Sequence, residues 1–199
     1  VTTYLQHATP AAFYAHTESR HNYELITEQL LHSSLDVAIG GGMGFFNKVY
    51  GDTVKETIKK QGFTLIEEFS EVAEHKGDSR LLALLAEWEV GSNSGDYLAN
   101  ATGEALRILE QRGGDEGFVL MVEGSLIDGM GHGNDAVAMQ REMESFMAAM
   151  EVAVEYAERT PGTLVVVTAD HGTGGMTIVS SDADFNLSEQ GVEYRFSTT

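Results

Sequence analysis

The sequence predicts an α/β fold in which a mainly parallel sheet is flanked by helices. Two short apolar runs rich in β-branched residues, at 119–122 and 163–167, indicate buried strands. A long amphipathic segment over 134–159 lies between them, and Pro161-Gly162 ends it. An order of strand, helix and strand implies parallel strands joined by a right-handed crossover.

The rest of the chain alternates between strand and helix patterns in the same way. A helix is expected at Ala8-Thr9-Pro10, with Thr9 as its cap and Pro10 in its first position. The remaining predictions are, in order, a helix over 21–32, a strand over 34–39, a turn over 40–42, a helix over 53–61, a strand over 63–69, an apolar segment of undecided type over 81–88, and a helix over 97–111. The polar tail over 182–199 is expected to be irregular.

Composition limits the classes of partner. The chain has 199 residues, a net charge of −19 and no Cys. The charge makes nucleic acid and anionic membrane poor partners, and no stretch is apolar and long enough to span a bilayer. An anionic substrate is also repelled at long range, so it would need concentrated positive charge from metals or an Arg. The absence of Cys excludes disulfides, thiolate zinc sites and cysteine nucleophiles.

Carboxylates and imidazoles follow both predicted strands at the point where each strand ends. Glu123 ends the first run, and Asp128 and His132 follow it one helical turn apart. Asp170 and His171 follow the second run. Ligands bind at the carboxyl ends of strands in open α/β sheets, and carboxylates with His bind zinc, or zinc with magnesium. Each residue alone could be a solvated acid or a capping histidine, but the repetition at two strand ends favours a metal site.

The segments that contain these residues resemble the alkaline phosphatase family. VEGSLIDGMGH at 122–132 is similar to the family's VEG…ID…H motif, and TADHGTGG at 168–175 is similar to its TADH motif. VTTYLQHATPAAFYAHTESR at 1–20 resembles the region after the family's nucleophile, and GGGMGFF at 40–46 resembles its glycine turn. The resemblance covers essentially the whole chain. It implies an alkaline phosphatase-like sandwich, hydrolysis of phosphate monoesters, and a site with two zinc ions and one magnesium ion.

The resemblance also implies a role for individual residues. The implied ligands are Asp128 and His132 for the first zinc, Asp170 and His171 for the second zinc, and Glu123 and Thr9 for the magnesium. His7 would lie near the magnesium and act on it through water. Arg20 would clamp two phosphate oxygens, because the planar guanidinium fork suits bidentate recognition.

The resemblance leaves three parts of the family's site without a counterpart in this chain. They are a Ser nucleophile preceded by Asp, an Asp that bridges two metals, and a His that completes the first zinc site. Ser19, Ser33 and Ser34 lack a preceding Asp. The chain is therefore expected to be a single alkaline phosphatase-like domain over 1–199 that is incomplete at both ends and inactive alone.

Two alternatives to a phosphatase remain open at this point. One is a sister metallohydrolase of the sulfatase-like or phosphoglycerate mutase-like type, and the other is a metal-binding fragment without turnover. The resemblance further implies a small phosphate monoester as substrate, a homodimer, and a periplasmic or secreted location. No secretory signal opens the chain, although Val1 is not a start methionine.

Overall fold

A parallel sheet forms the centre of the fold. The computed structural model describes residues 1–91, 95–180 and 193–197. Its central strands are β1 (Val37–Gly40), β2 (Phe63–Ile66) and β3 (Arg80–Leu84), in the order β1-β3-β2. Leu82 of β3 is paired with Ala38 on one side and with Leu65 on the other. The predicted parallel sheet is confirmed, and the first half of the apolar segment of undecided type, 81–84, belongs to its central strand.

Eight α-helices account for about half of the remaining described residues. They are α1 (Ala8–Ala12), α2 (Tyr23–His32), α3 (Met43–Tyr50), α4 (Val54–Lys60), α5 (Phe69–Val72), α6 (Tyr97–Gly113), α7 (Leu126–His132) and α8 (Ala136–Arg159). None of the helices in the described ranges is long and apolar enough to cross a membrane. The start of α8 is fixed by Asp135, whose carboxylate accepts a hydrogen bond from Ala138 N at 2.9 Å.

The sheet lies between two helix layers, because successive side chains of β3 enter different apolar cores. Leu82 and Leu84 belong to a core shared with α2, α3 and α4. Leu81 and Ala83 belong to a second core shared with α6 and α8. Burial on both faces explains why the β3 sequence is apolar throughout rather than alternating.

The first residues of the chain extend this sheet beyond β1. Thr2 N donates to Ile39 O at 3.1 Å, and Gly41 N donates to Thr3 O at 3.1 Å. Tyr4 then forms a parallel bridge with Gly41. The chain from 1 to 4 therefore lies beside β1 and runs in the same direction.

The other side of this extended segment meets residues 121–123. The Val1 amino group donates to Met121 O at 2.8 Å, and Glu123 N donates to Val1 O at 3.0 Å. The bonding pattern is that of a parallel pair. Glu123 consequently lies at the same sheet edge as the carboxyl end of β1.

The two apolar runs that were predicted to be buried strands are not strands in the described structure. Val119 is 87% exposed and Leu164 is 83% exposed. A strand forms only where a neighbour satisfies its backbone N–H and C=O groups. Residues 119–122 meet such a neighbour only near their end, and 163–167 pairs with no strand in the ranges that the structure describes. The predicted crossover between two parallel strands is therefore also absent from this region.

Two smaller predictions need correction. Helix α1 begins at Ala8 after His7, so Thr9 is inside the helix rather than its cap, and Pro10 is its third residue. The described part of the tail is not wholly irregular, because β5 (Glu193–Arg195) pairs antiparallel with β4 (Thr177–Ser180). The rest of the tail prediction, at 182–192 and 198–199, lies outside the described residues.

Candidate functional site

Helix α7 places two of the predicted metal ligands on one face. Asp128 and His132 lie one turn apart, with His132 Nε2 at 3.5 Å from Asp128 Oδ2. The same helix contains Gly131, where a Cβ atom would lie 3.1 Å from the Thr173 side chain. Because glycine has no side chain, the loop that contains Thr173 can approach the helix closely at Gly131.

Thr173 joins the two motifs that contain the predicted ligands. Its hydroxyl donates to Asp128 Oδ1 at 2.5 Å and lies 3.1 Å from His171 Nδ1. Because the hydroxyl proton goes to the carboxylate, His171 donates from Nδ1 to the hydroxyl oxygen; in the neutral imidazole this leaves Nε2 as an acceptor. Sequence spacing did not single out Thr173, since the contact joins residues 45 positions apart.

The spacing of the ligand pairs fits the chemistry of a bound cation. His171 Nε2 lies 3.3 Å from Asp170 Oδ2, close to the corresponding 3.5 Å between His132 and Asp128. Two donor atoms at zinc-ligand distance in a tetrahedral site lie roughly 3.3–3.6 Å apart. A carboxylate oxygen and an imidazole nitrogen that carries no proton are both acceptors. A cation that lies between two such atoms would stabilise their close approach.

The described donors come in pairs rather than in larger groups. Within 1–91, 95–180 and 193–197, no cluster of three or more His, Cys, Asp or Glu side chains could hold one metal ion. The structure brings Asp128 and His171 to the same hydroxyl, and each keeps its motif partner beside it. The described residues thus form two Asp–His pairs that are joined by Thr173.

Glu123 is held at the sheet edge by a threonine that sequence reasoning missed. Thr2 is fully buried, and its hydroxyl donates to Glu123 Oε2 at 2.5 Å. The neighbouring Thr3 hydroxyl lies 2.5 Å from Ser125 Oγ, in the turn that leads into α7. Thr9, the other predicted magnesium ligand, makes no described hydrogen bond to Glu123. No local sequence signal marks these contacts, because they join residues more than 120 positions apart.

Arg20 meets the start of helix α1. Its Nη2 atom lies 3.0 Å from His7 Nε2, and the Arg20 side chain is otherwise exposed. A guanidinium has donors only, so His7 accepts at Nε2 and keeps its own proton on Nδ1. This contact brings Arg20 to the residue that precedes the helix containing Thr9.

A cavity of about 290 Å³ does not coincide with these residues. It is lined by Val1, Leu35, Val37, Phe118 and Val119, among others, and by none of the predicted ligands. The lining includes Leu35 and Val37, which lie before and at the start of β1, and also Thr2, whose hydroxyl contacts Glu123.

Ser79 is a serine that follows an aspartate, and it was not among the serines considered from the sequence. Asp78-Ser79 is an Asp-Ser pair, and Ser79 Oγ lies 3.3 Å from His75 Nε2. His75 Nδ1 accepts a hydrogen bond from Gly77 N at 3.0 Å, so the imidazole proton is on Nε2. His75 therefore donates to Ser79 instead of removing its proton. The pair also precedes β3, at the sheet edge opposite to Glu123.

Comparison with known proteins gives a consistent result. The alkaline phosphatase family model matches residues 1–190. Alkaline phosphatase 3 of Bacillus subtilis is 35% identical over 196 residues, which cover 93% of this chain and 41% of the relative. Alkaline phosphatase 4 of the same organism is 36% identical, with 89% of this chain and 40% of the relative covered.

Solved structures agree with the sequence relatives. The cold-active alkaline phosphatase of a psychrophilic Shewanella species superposes with a TM-score of 0.81 at 37% identity, covering 92% of this chain and 45% of that protein. The alkaline phosphatase of the Antarctic bacterium TAB5 gives a TM-score of 0.82 at 33% identity, covering 99% and 59%. A mutant of the TAB5 enzyme is described with Mg bound in its M3 site.

The matched region is only part of the relatives. The chain spans about 40% of the length of the two Bacillus proteins. The family match nevertheless covers residues 1–190, and the identity to the first of these relatives is 35%. The chain belongs to the alkaline phosphatase family.

Proposed function

We propose that this chain contains metal- and phosphate-binding residues of a phosphatase that hydrolyses small phosphate monoesters. The observation on which the proposal rests is the Thr173 hydroxyl, which contacts Asp128 and His171 from two separate motifs. Membership of the alkaline phosphatase family supports the reaction class. It also supports the proposals that the complete protein is a homodimer and acts in the periplasm or outside the cell.

The metal ligands proposed from the motifs agree with the donor chemistry. They are Asp128 and His132 for one zinc, Asp170 and His171 for a second zinc, and Glu123 and Thr9 for a magnesium, with His7 acting through water. Imidazole and carboxylate are suited to zinc, and oxygen donors to magnesium. When bound, two close metal ions would activate the attacking oxygen, neutralise the non-bridging phosphate oxygens and stabilise the leaving oxygen.

Arg20 binds the phosphate in this proposal. A guanidinium donates two parallel hydrogen bonds to two phosphate oxygens, and it keeps its charge at any working pH. His7 orients the guanidinium through its Nε2 atom. Local positive charge is needed here because the chain has a net charge of −19 and repels a phosphate ester at long range.

The attacking serine is assigned outside these 199 residues. Ser79 follows Asp78, but it lies at the opposite sheet edge and receives a proton from His75. Ser19, Ser33 and Ser34 have no preceding Asp. Hydrolysis is therefore proposed for the complete protein, whereas metal and phosphate binding are proposed for the residues in this chain.

Calorimetric titration of the purified chain tests the proposal. Zn²⁺ is added first, and inorganic phosphate is added to the metal-free and the metal-loaded chain. We expect phosphate to bind only after metal, and His171→Ala to weaken zinc binding. His16→Ala is the matched control, because His16 is exposed and outside the motifs. Equal phosphate affinity with and without metal would contradict the proposal.

A further inference from the structure

Five rings pack against one another at the surface of the protein and form an aromatic surface. Its members are Tyr4, His7, Tyr23, Phe45 and Trp88. The ring centroids of Tyr4 lie 5.8 Å from His7 and 5.6 Å from Phe45. Phe45 in turn lies 4.7 Å from Tyr23 and 5.1 Å from Trp88. The contacts are continuous from Trp88 to His7.

The aromatic surface does not belong to the hydrophobic interior. Tyr4, Tyr23, Phe45 and Trp88 are absent from both apolar cores and their packed neighbours. None of them is buried, and Trp88 is 43% exposed. Contiguous exposed apolar groups on a folded protein mark interaction or ligand sites more often than isolated ones do.

The topology places these rings at the carboxyl ends of parallel segments. Tyr4 follows the extended residues 1–3, and Phe45 lies on α3, which follows β1. Trp88 follows β3; its ring packs against Gly44 on α3, and its backbone carbonyl lies beside Gly41 in the turn after β1. Glu123 lies at the same edge. Because ligands bind at this edge of an open α/β sheet, the rings adjoin the candidate phosphate site rather than a remote face.

His7 connects the aromatic surface to the proposed phosphate clamp. Its ring is stacked on Tyr4 at an interplanar angle of 28°, and its Nε2 atom contacts Arg20 at 3.0 Å. A phosphate held by Arg20 would therefore have the rings of His7 and Tyr4 beside it. The group attached to the phosphate is the only part of a monoester that can extend away from the clamp over these rings.

Lys48 fixes the far end of the aromatic surface. Its Nζ atom lies 4.7 Å from the Trp88 ring centroid and 5.3 Å from that of Phe45. A cation at this distance attracts both ring faces and holds the two rings relative to each other. Burial raises the pKa of the Tyr4 hydroxyl, with Tyr23 and Glu89 adding to the shift, so Tyr4 remains neutral. The surface thus presents pre-positioned rings, and its tyrosine Tyr4 is neutral.

We propose that the aromatic surface binds the leaving group of the phosphate ester and favours a planar aromatic one, such as the base of a nucleoside monophosphate. This inference rests on the proposed phosphatase function. A base has a π-face that stacks on aromatic side chains, whereas a sugar or a short alkyl group has none. The structure accordingly assigns Tyr4, Phe45 and Trp88 to substrate preference rather than to the chemical step.

Trp88 provides a direct readout, because it is the only tryptophan in the sequence. The metal-loaded chain is titrated with AMP, with ribose 5-phosphate, with inorganic phosphate and with adenosine. Affinity is measured by calorimetry, and Trp88 fluorescence reports where the ligand binds. AMP is expected to bind about tenfold more tightly than ribose 5-phosphate and to quench Trp88.

Variants separate the aromatic surface from the phosphate site. Phe45→Leu keeps apolar bulk but removes the ring, and it should bring the AMP affinity close to that for ribose 5-phosphate without changing phosphate binding. Tyr23→Leu is a second variant for use if Phe45→Leu does not fold. Phe13→Leu is the matched control, since Phe13 is 58% exposed and outside the surface.

The outcomes distinguish this inference from the proposed function. Equal affinity for AMP and ribose 5-phosphate, with both dependent on metal, would overturn the aromatic preference and leave the phosphate site standing. Absence of binding by any phosphate compound would refute the proposed function. In that case adenosine decides: quenching of Trp88 that is lost in Phe45→Leu supports an aromatic binding surface, and no quenching overturns it.

Discussion

The Thr173 hydroxyl donates to Asp128 Oδ1 at 2.5 Å and so links two motifs that lie far apart in the sequence. The same oxygen is 3.1 Å from His171 Nδ1. A hydrogen bond at Nδ1 selects the tautomer whose Nε2 lone pair is available to a metal. One hydroxyl therefore orients a carboxylate of one ligand pair and an imidazole of the other.

Replacement of this hydroxyl should weaken metal binding. Thr173→Val keeps the shape of the side chain and removes both hydrogen bonds. Loss of a group that orients metal ligands typically lowers metal affinity by about 10–100-fold, and we expect a zinc affinity loss in this range. Thr168→Val is the matched control, because among the described residues the Thr168 hydroxyl donates to the carbonyl of Ala169 and not to a predicted metal ligand. A competition titration with a zinc-binding dye measures both variants, and equal affinities would refute the orienting role.

Removal of the Arg20 guanidinium should affect phosphate more than metal. Hydrogen bonds to charged groups contribute about 1.5–3 kcal/mol, so Arg20→Ala is expected to weaken phosphate binding by roughly 10–100-fold. Arg20→Lys should recover part of the loss, because it restores charge without the bidentate fork. The exposed Arg141 on α8 provides the control Arg141→Ala. Unchanged phosphate affinity in Arg20→Ala, measured by calorimetry at constant zinc, would exclude the clamp.

The stability of the chain should depend on the protonation of His75. Burial lowers its pKa below the usual value of 6.5; Asp78 opposes this shift, and Arg107 and Arg112 add to it. Just below pH 6.5 the unfolded chain binds a proton that the folded chain does not, so the free energy of unfolding falls as the pH falls. The stabilising contribution is complete above about pH 6.5 and is lost through the lowered pKa.

A conservative variant isolates this effect. His75→Asn retains an acceptor for Gly77 N, since an Asn side chain bonds readily to the backbone two residues later, but it does not titrate. Urea unfolding at pH 7 and pH 5 should show a larger loss of stability for the original chain than for the variant. The same loss in both would mean that His75 is not responsible.

The chain of 199 residues should bind metal without repeated turnover. Its Asp78-Ser79 pair lies away from the candidate site. Each Asp–His pair in the described residues offers two potential zinc ligands, whereas a catalytic zinc normally has three protein ligands. Hydrolysis of p-nitrophenyl phosphate by the purified chain, with and without Zn²⁺ and Mg²⁺, is the measurement. Multiple turnovers that a chelator abolishes would contradict this expectation.

Local pattern was sufficient for some elements and insufficient for others. The helical spacing of Asp128 and His132 was confirmed, because both residues belong to one short helix. The β-branched run at 163–167 indicated a strand, but a strand also needs a partner, which is a non-local property. The type of β3 was undecided for a different reason. Both faces of this strand are buried, and its sequence therefore lacks the alternation of apolar and polar residues that distinguishes a strand from a helix.

The candidate site shows the same division. Glu123, Asp170 and His171 were proposed from their places after apolar runs, and their metal roles remain predictions. The contacts of Thr2 with Glu123 and of Thr173 with Asp128 join residues more than 40 positions apart. No periodicity or motif spacing reports such contacts. They become visible only when the sheet edge and helix α7 are placed in space.

Zinc K-edge X-ray absorption on the zinc-loaded chain tests the proposed metal ligands most directly. We expect only nitrogen and oxygen neighbours at about 2.0–2.2 Å, with imidazole scattering from His132 and His171. That imidazole signal should disappear in the double variant His132→Ala, His171→Ala and persist in the control His16→Ala. Imidazole scattering of undiminished amplitude in the double variant would show that other histidines bind the zinc and would contradict the proposed site.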